Sequence, residues 1–176
     1  TMYWSMYNAT SGLVYFHPDS LRDNPYVPPV YITDFKLFNK SIVPNDTNEF
    51  LKFPIEFTKE IKLSYRENVI SFTFAALNFV LPENNHYAYK LESFDKELIT
   101  TDAQHRFANY TNLDAGEYIF KVKATNNDGV WNDTPATIKL IITPPFGNTW
   151  WFRILVGATL VVALYSMYKY RLHQIL

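Results

Sequence analysis

The sequence predicts an all-β fold, an antiparallel β-sandwich of about seven strands, followed by a single transmembrane α-helix. Three observations carry this expectation. Apolar and polar residues alternate through most of the region between two proline clusters. Aromatic residues make up 18% of the chain, with 13 Tyr and 14 Phe, which favours large side chains buried between sheets. Near the C-terminus, residues 150–168 read WWFRILVGATLVVALYSMY, with Arg153 as the only charge.

The strands follow in order. The first long one is expected near Tyr31–Phe38. Ile61, Leu63 and Tyr65 alternate with Lys62 and Ser64; Ile70, Phe72 and Phe74 then share a face, as do Tyr87, Tyr89 and Leu91. A short strand is expected near His105–Tyr110. Tyr118, Phe120, Val122 and Ala124 line one side against Lys121 and Lys123, and Ile138, Leu140 and Ile142 stand opposite Thr137 and Lys139. Period-two alternation gives each strand one buried and one wet face, as in an antiparallel sandwich. Seven strands in roughly 115 residues is the size of an immunoglobulin or fibronectin-like domain. Leu113-Asp114-Ala115-Gly116-Glu117-Tyr118 resembles a tyrosine corner, in which the Tyr hydroxyl bonds back to nearby backbone. Pro25, Pro28 and Pro29 precede the first long strand, and Pro144 and Pro145 follow the last. Paired prolines make stiff, extended joints.

The apolar run from Trp150 to Tyr168 would span roughly 28 Å as a helix, close to the bilayer's hydrocarbon thickness. Trp150, Trp151 and Phe152 stand at one margin, and Tyr165, Tyr168 and Tyr170 at the other, where headgroup regions favour amphipathic aromatics. Arg153 lies one turn inside the Trp pair, so its stem can return the guanidinium to the interface. Lys169 and Arg171, with His173 beyond, form a short basic flank that stays in the cytoplasm. Trp150, Trp151, Arg153, Lys169 and Arg171 are the expected interface anchors. Residues 1 to about 149 are therefore expected in the periplasm of a single-pass inner-membrane protein. The competing reading is a buried helix of a soluble core. Gly157, Ala158 and Ala163 could mark a helix–helix contact or simply face lipid.

Other functional classes find little support. The chain has no cysteine, so it has no disulfide framework and no thiol site. Its net charge of −1 gives no electrostatic footprint for nucleic acid. His17, His86, His105 and His173 show no ligand spacing, and no cofactor or metal is expected. Asp95 and Glu97, or Asp102, could be imagined as a hydrolytic carboxylate pair, but the setting reads as a charged loop. No catalytic residue is assigned. Asn126-Asn127-Asp128-Gly129 reads as a hairpin turn rather than a calcium loop. Trp131 reads as an edge-packing aromatic rather than a sugar platform. Glycosylation sequons occur at Asn8, Asn39, Asn45, Asn109 and Asn132. The opening TMYWSMYN has no signal-peptide character and reads as a mid-protein start, so the chain is expected to be a piece of something longer.

Several ordered segments together resemble a known family. They are Tyr87–Lys96 (YAYKLESFDK), Arg106–Leu113 (RFANYTNL), Gly116–Ala124 (GEYIFKVKA) and Asn127–Asn132 (NDGVWN). The combination resembles the triple-tyrosine (Y_Y_Y) domain of bacterial hybrid two-component sensors, with Tyr89, Tyr110 and Tyr118 at the name-giving positions. Pro144-Pro145-Phe146 and Thr149–Phe152 resemble that family's junction with the membrane. Gly12–Pro18, Pro28-Pro29-Val30 and Ile32-Thr33 resemble the end of a preceding β-propeller and its exit into the sandwich. The chain departs from the family pattern at Leu98, Ser93 and Gly147, where Trp, Gly and Trp are common.

The resemblance implies four parts. Residues 1–28 would be closing strands of a propeller with its linker, and 29–146 the Y_Y_Y-like sandwich. Residues 147–170 would be the membrane helix with its flanks, and 171–176 the start of a cytoplasmic juxtamembrane segment. It further implies a homodimeric periplasmic relay. A glycan sensed by the upstream propeller, and not bound by this part of the chain, would act through the helix on a cytoplasmic histidine kinase in a phosphorelay. The fragment itself would not be an enzyme, whereas its parent would be a histidine kinase. Two alternatives remain: a fibronectin-like cell-surface adhesion receptor, and a membrane-attached carbohydrate-binding module using Trp131.

Overall fold

The computed structural model describes residues 2–4, 14–16, 24–45, 50–145, 147 and 150–175. A short antiparallel hairpin comes first, formed by β1 (Met2–Trp4) and β2 (Val14–Phe16), with Tyr3 opposite Tyr15. Gly12, Leu13, His17 and Pro18 of the expected propeller exit lie outside the described residues, as do Asn8, Phe146 and Thr149.

The body of the protein is a two-sheet sandwich. One sheet has the order β4–β3–β6–β9, from β3 (Val30–Leu37), β4 (Lys40–Ser41), β6 (Ile70–Ala76) and β9 (Phe107–Tyr110). The other has the order β5–β11–β10–β7–β8, from β5 (Glu60–Ser64), β7 (His86–Glu92), β8 (Ile99–Asp102), β10 (Gly116–Ala124) and β11 (Ala136–Thr143). All seven strands expected from the sequence are present.

Two strands of the sandwich escaped that reading, and both are edges. The two residues of β4 are exposed, and so are three of the four in β8, so neither has a buried face to write a pattern. The strands of the sandwich pair antiparallel, as expected, at every interface but one. β11 pairs with β5 in parallel, Leu140 opposite Ile61 and Ile142 opposite Leu63. No hairpin constrains two strands so far apart in sequence, and both run toward the same end of the molecule.

The core is aromatic at its centre. Phe72 and Phe120, from opposite sheets, are fully buried with ring centroids 4.5 Å apart and nearly parallel. Phe35 packs beside Phe72 at 5.3 Å, and Phe74 beside Tyr87 at 5.4 Å. Burial of each such ring contributes roughly 1.5–3 kcal/mol. The Tyr87 hydroxyl accepts the Ala76 N–H at 3.2 Å, a polar tie between the sheets. In β3 the alternation shifts by one residue at a bulge between Ile32 and Asp34, which keeps Phe35 and Leu37 inward.

Strand directions divide the sandwich into two poles. β3, β5, β7, β9 and β11 end where β6 and β10 begin, because Leu37 and Tyr110 both pair with Ile70, Gly116 pairs with Ile142, and Ser64 pairs with Thr143. The chain leaves for the C-terminal helix from this pole. It reaches β3 at the opposite pole. Beyond Thr143 lie Pro144 and Pro145, and then α1 (Trp150–Ile175). α1 is long and apolar enough over Trp150–Arg171 to cross a membrane, and none of its most apolar window is buried. A soluble core helix would be mostly buried, whereas this one has no burial against the described residues. The hydroxyls of Thr159 and Ser166 donate back to carbonyls of the preceding turn, on Leu155 and Val162, which satisfies them without water.

Candidate functional site

The described residues contain no cluster of three or more acidic or histidine side chains able to hold a metal. Polar structure is concentrated instead at the two poles, where the chain arrives and where it leaves.

At the arrival pole, the turn between β10 and β11 grips the linker. Asn126 is fully buried, and its side-chain amide donates to the carbonyls of Asn24 (2.6 Å) and Tyr26 (2.9 Å). Its side-chain oxygen accepts the N–H groups of Asp128 (3.0 Å) and Val130 (2.9 Å). All four hydrogen-bonding positions of this side chain are thus taken. Asn24 returns two bonds, from its N–H to Asp128 and from its side chain to Asn127. Further along, buried Asn132 donates to the Pro28 carbonyl at 2.8 Å and accepts from Thr134. The Leu77 N–H then closes onto Pro29. The turn predicted at Asn126–Gly129 is present, with Gly129 at φ +83°. Its grip on the linker was not read from the sequence.

Asn132, one of the sequons, is buried and bonded on both amide atoms, so it is closed to a glycan. Asn39, Asn45 and Asn109 are exposed. Trp131 is half-buried, and the Lys123 ammonium sits 4.8 Å from its ring centroid, occupying a face that a sugar would need.

The three family-position tyrosines take different roles, Tyr110 and Tyr118 at the departure pole and Tyr89 in the middle of β7. Tyr118 is buried, and its hydroxyl donates to the Asp114 carbonyl at 3.0 Å, closing the corner between β9 and β10. Tyr110 is buried, and its hydroxyl donates to the Asp95 carboxylate at 2.7 Å. The same carboxylate oxygen accepts the Leu91 N–H at 2.7 Å, so Asp95 organises the turn after β7. Tyr89 is half-buried at the core edge, 5.6 Å from Phe74 and 6.1 Å from Phe120. Phe120 also meets Tyr110 at 6.3 Å, so one ring joins two of the tyrosines. Burial, followed by the Asp95 hydrogen bond, pushes the Tyr110 hydroxyl far above the usual tyrosine range. Burial raises Tyr89 and Tyr118 as well, with nearby Asp95 and Asp114 adding to it.

The carboxylates weighed for hydrolysis serve turns. Asp102 accepts a bond from the His105 ring and others from the N–H groups of His105 and Gln104; the ring bond first, then the backbone ones, hold its carboxyl below the usual range. It stands at the end of β8, away from Asp95, whose partners are Tyr110 and Leu91. Among the expected interface anchors, Trp150 and Trp151 lie in the first turn of α1, with Arg153 next to them. Lys169 and Arg171 are exposed near its other end, and α1 continues through them to Ile175.

Comparison with known proteins places this geometry. Residues 78–143, from the loop after β6 through β11, match the Y_Y_Y domain. Over 167 residues, 93% of this chain, the sequence is 35% identical to histidine kinase P4 of Formosa agariphila. The chain spans 12% of that relative's length. Among solved structures, it resembles the extracellular domain of a B. thetaiotaomicron protein described as a hybrid two-component system. The TM-score is 0.61 and the identity 28%, over 70% of this chain and 16% of the other. A second such extracellular domain from the same organism matches at TM-score 0.58 and 26% identity, over 76% of this chain and 18% of the other.

Proposed function

We propose that this chain, which carries a Y_Y_Y domain at residues 78–143 and is homologous to a histidine kinase, is the membrane-proximal periplasmic module of a sensor kinase. In this reading the sandwich, residues 29–146, couples a preceding propeller (ending at 1–28) to the membrane helix within 147–170. The propeller senses a ligand of glycan class, and the cytoplasmic kinase of a homodimer responds. The sandwich transmits and does not bind the ligand.

One observation carries the proposal: the chain is fastened where it arrives and leaves from the opposite pole. Buried Asn126 and Asn132 hold linker residues Asn24, Tyr26 and Pro28 at one end. At the other end β11 is pinned along β5 up to Thr143, whose hydroxyl donates to Leu63 at 3.1 Å, directly before Pro144 and Pro145. A rigid body held at both ends passes displacement on, whereas a flexible linker dissipates it. Inserting a six-residue Gly/Ser segment after Pro145 of the full-length receptor should abolish ligand-dependent reporter output while leaving membrane insertion intact. Undiminished output would overturn the coupling reading.

A further inference from the structure

The loop after β6 presents apolar side chains to solvent on a backbone that is held in place. Phe79 (86% exposed), Val80 (56%) and Leu81 (53%) are the one run of three exposed large apolar residues among the described residues of the sandwich, and Phe79 is the most exposed of all. No charged residue lies between Glu67 and Glu83. The other exposed phenylalanines, Phe38, Phe53, Phe57, Phe94 and Phe107, each stand within two residues of a Lys or Arg. Buried Asn78 donates to the Val80 carbonyl at 3.1 Å and to the Asn85 side chain at 2.8 Å, and its oxygen accepts the Val80 N–H at 3.3 Å. Leu81 sits at φ 46°, a conformation costly for a leucine, and its carbonyl accepts the Asn84 N–H at 3.0 Å.

This tip stands at the arrival pole, beside the incoming linker. The Leu77 N–H bonds the Pro29 carbonyl at 3.0 Å, so the loop continues the contact by which Asn126 and Asn132 hold Asn24, Tyr26 and Pro28. Tyr26 (53%) and Val27 (39%) of the linker are exposed as well. Asn24 is eight residues from Phe16, a reach of no more than roughly 30 Å from the hairpin of β1 and β2. That hairpin is a sheet of its own, joined to neither sheet of the sandwich. Two strands alone are at best marginal in water, so the hairpin needs further strands to complete it. The solved extracellular domains that resemble this chain are several times longer than the part it matches. Because α1 takes the C-terminal side into the membrane, additional chain on the outer side attaches through the linker.

We propose that Phe79, Val80 and Leu81 dock in an apolar recess of the domain that precedes the linker in the same chain. The inference rests on the proposed reading, in which that domain is a propeller completed by β1 and β2. The short tether holds the two surfaces at high effective concentration, so a small apolar contact suffices to close them. An exposed apolar tip without charged neighbours suits such a desolvated contact. The linker alone transmits a pull but lets the preceding domain swivel. A second contact beside Pro29 removes that freedom, so rotation of the domain also turns the sandwich.

Photo-crosslinking in the full-length receptor tests the contact. Phe79→p-benzoylphenylalanine, with Phe94→p-benzoylphenylalanine at the opposite pole as control, is irradiated in native membranes and the adducts are mapped by mass spectrometry. Residue 79 should join a peptide N-terminal to the linker in the same chain, at several-fold the yield from residue 94. Adding Val80→Ser and Leu81→Ser should cut that yield several-fold. The same two substitutions should leave the circular dichroism of the 176-residue chain unchanged, because both side chains are exposed in it. Equal yields from the two poles, or adducts of residue 79 confined to a second copy, would overturn docking. If receptor output is nevertheless lost on inserting the Gly/Ser segment after Pro145, the coupling reading stands without this contact. Output that survives the insertion would overturn the coupling reading, and the cross-link then decides the contact by itself.

Discussion

The side-chain amide of Asn126 donates to the carbonyl oxygen of Asn24 at 2.6 Å, joining residues 102 apart in sequence. The same amide also reaches Tyr26, so this one side chain supplies two of the bonds that fasten the linker to the sandwich.

Asn126→Asp conserves size but turns a carboxylate oxygen toward two carbonyl oxygens, where a donor is needed. It should lower stability by about 2–4 kcal/mol, the scale of several buried polar groups left unsatisfied. Urea denaturation of the purified chain in detergent measures the loss. Limited proteolysis should then cut the linker around Asn24–Pro29 at denaturant concentrations that leave the parent chain intact.

The same contrast shows what a sequence can disclose. β10 and β11 were legible because a buried face imposes period two, and Tyr118, Phe120 and Val122 on one side of Lys121 and Lys123 leave little choice. β8 was not legible, because Ile99–Asp102 is a largely exposed edge beside His86–Tyr89, with no buried face to write a pattern. The turn at Asn126–Gly129 was legible as local chemistry. Its grip on the linker was not, since an asparagine's distant partners leave no trace in neighbouring residues. Asp95 is the parallel case at the other pole. Phe94-Asp95-Lys96-Glu97 looks like a charged loop, and only the fold brings Tyr110 onto it.

Phe120 is the residue on which both sheets and two of the tyrosines converge. Phe120→Ala should cost about 3–5 kcal/mol, through lost burial and the cavity left beside Phe72. Phe120→Leu should cost clearly less, because it refills much of that volume. Paired denaturation curves check the order. Near-ultraviolet circular dichroism should lose its aromatic signal in the Ala variant before secondary structure is lost.

Tyr110→Phe keeps the ring against Phe94 and Phe120 and leaves Asp95 bonded to the Leu91 N–H. The loss is one hydrogen bond to a carboxylate, about 1.5–3 kcal/mol. Asp95→Ala should cost more than Tyr110→Phe, since it strands both the buried Tyr110 hydroxyl and the Leu91 N–H. Unfolding midpoints of the two single variants and the double variant give the coupling between them; a coupling near zero would show that the Tyr110–Asp95 contact stabilises nothing.

The upward shift of the Tyr110 hydroxyl sets an alkaline limit on stability. Burial first, then the Asp95 hydrogen bond and charge, hold its proton in the folded chain, and Tyr89 and Tyr118 are shifted in the same direction. In the unfolded chain tyrosines titrate near pH 10. Below that pH both states keep the proton, and the stabilisation is fully present. Above it the unfolded state releases protons that the folded state retains, so stability falls as pH rises from about 10 toward the folded value. Urea midpoints should therefore decline steeply between about pH 10 and pH 11. In Tyr110→Phe the decline should be shallower, because that variant starts lower but has one proton fewer to lose on unfolding. Parallel slopes in the two proteins would mean that Tyr110 titrates alike in both states, and that its contact with Asp95 does not hold the proton.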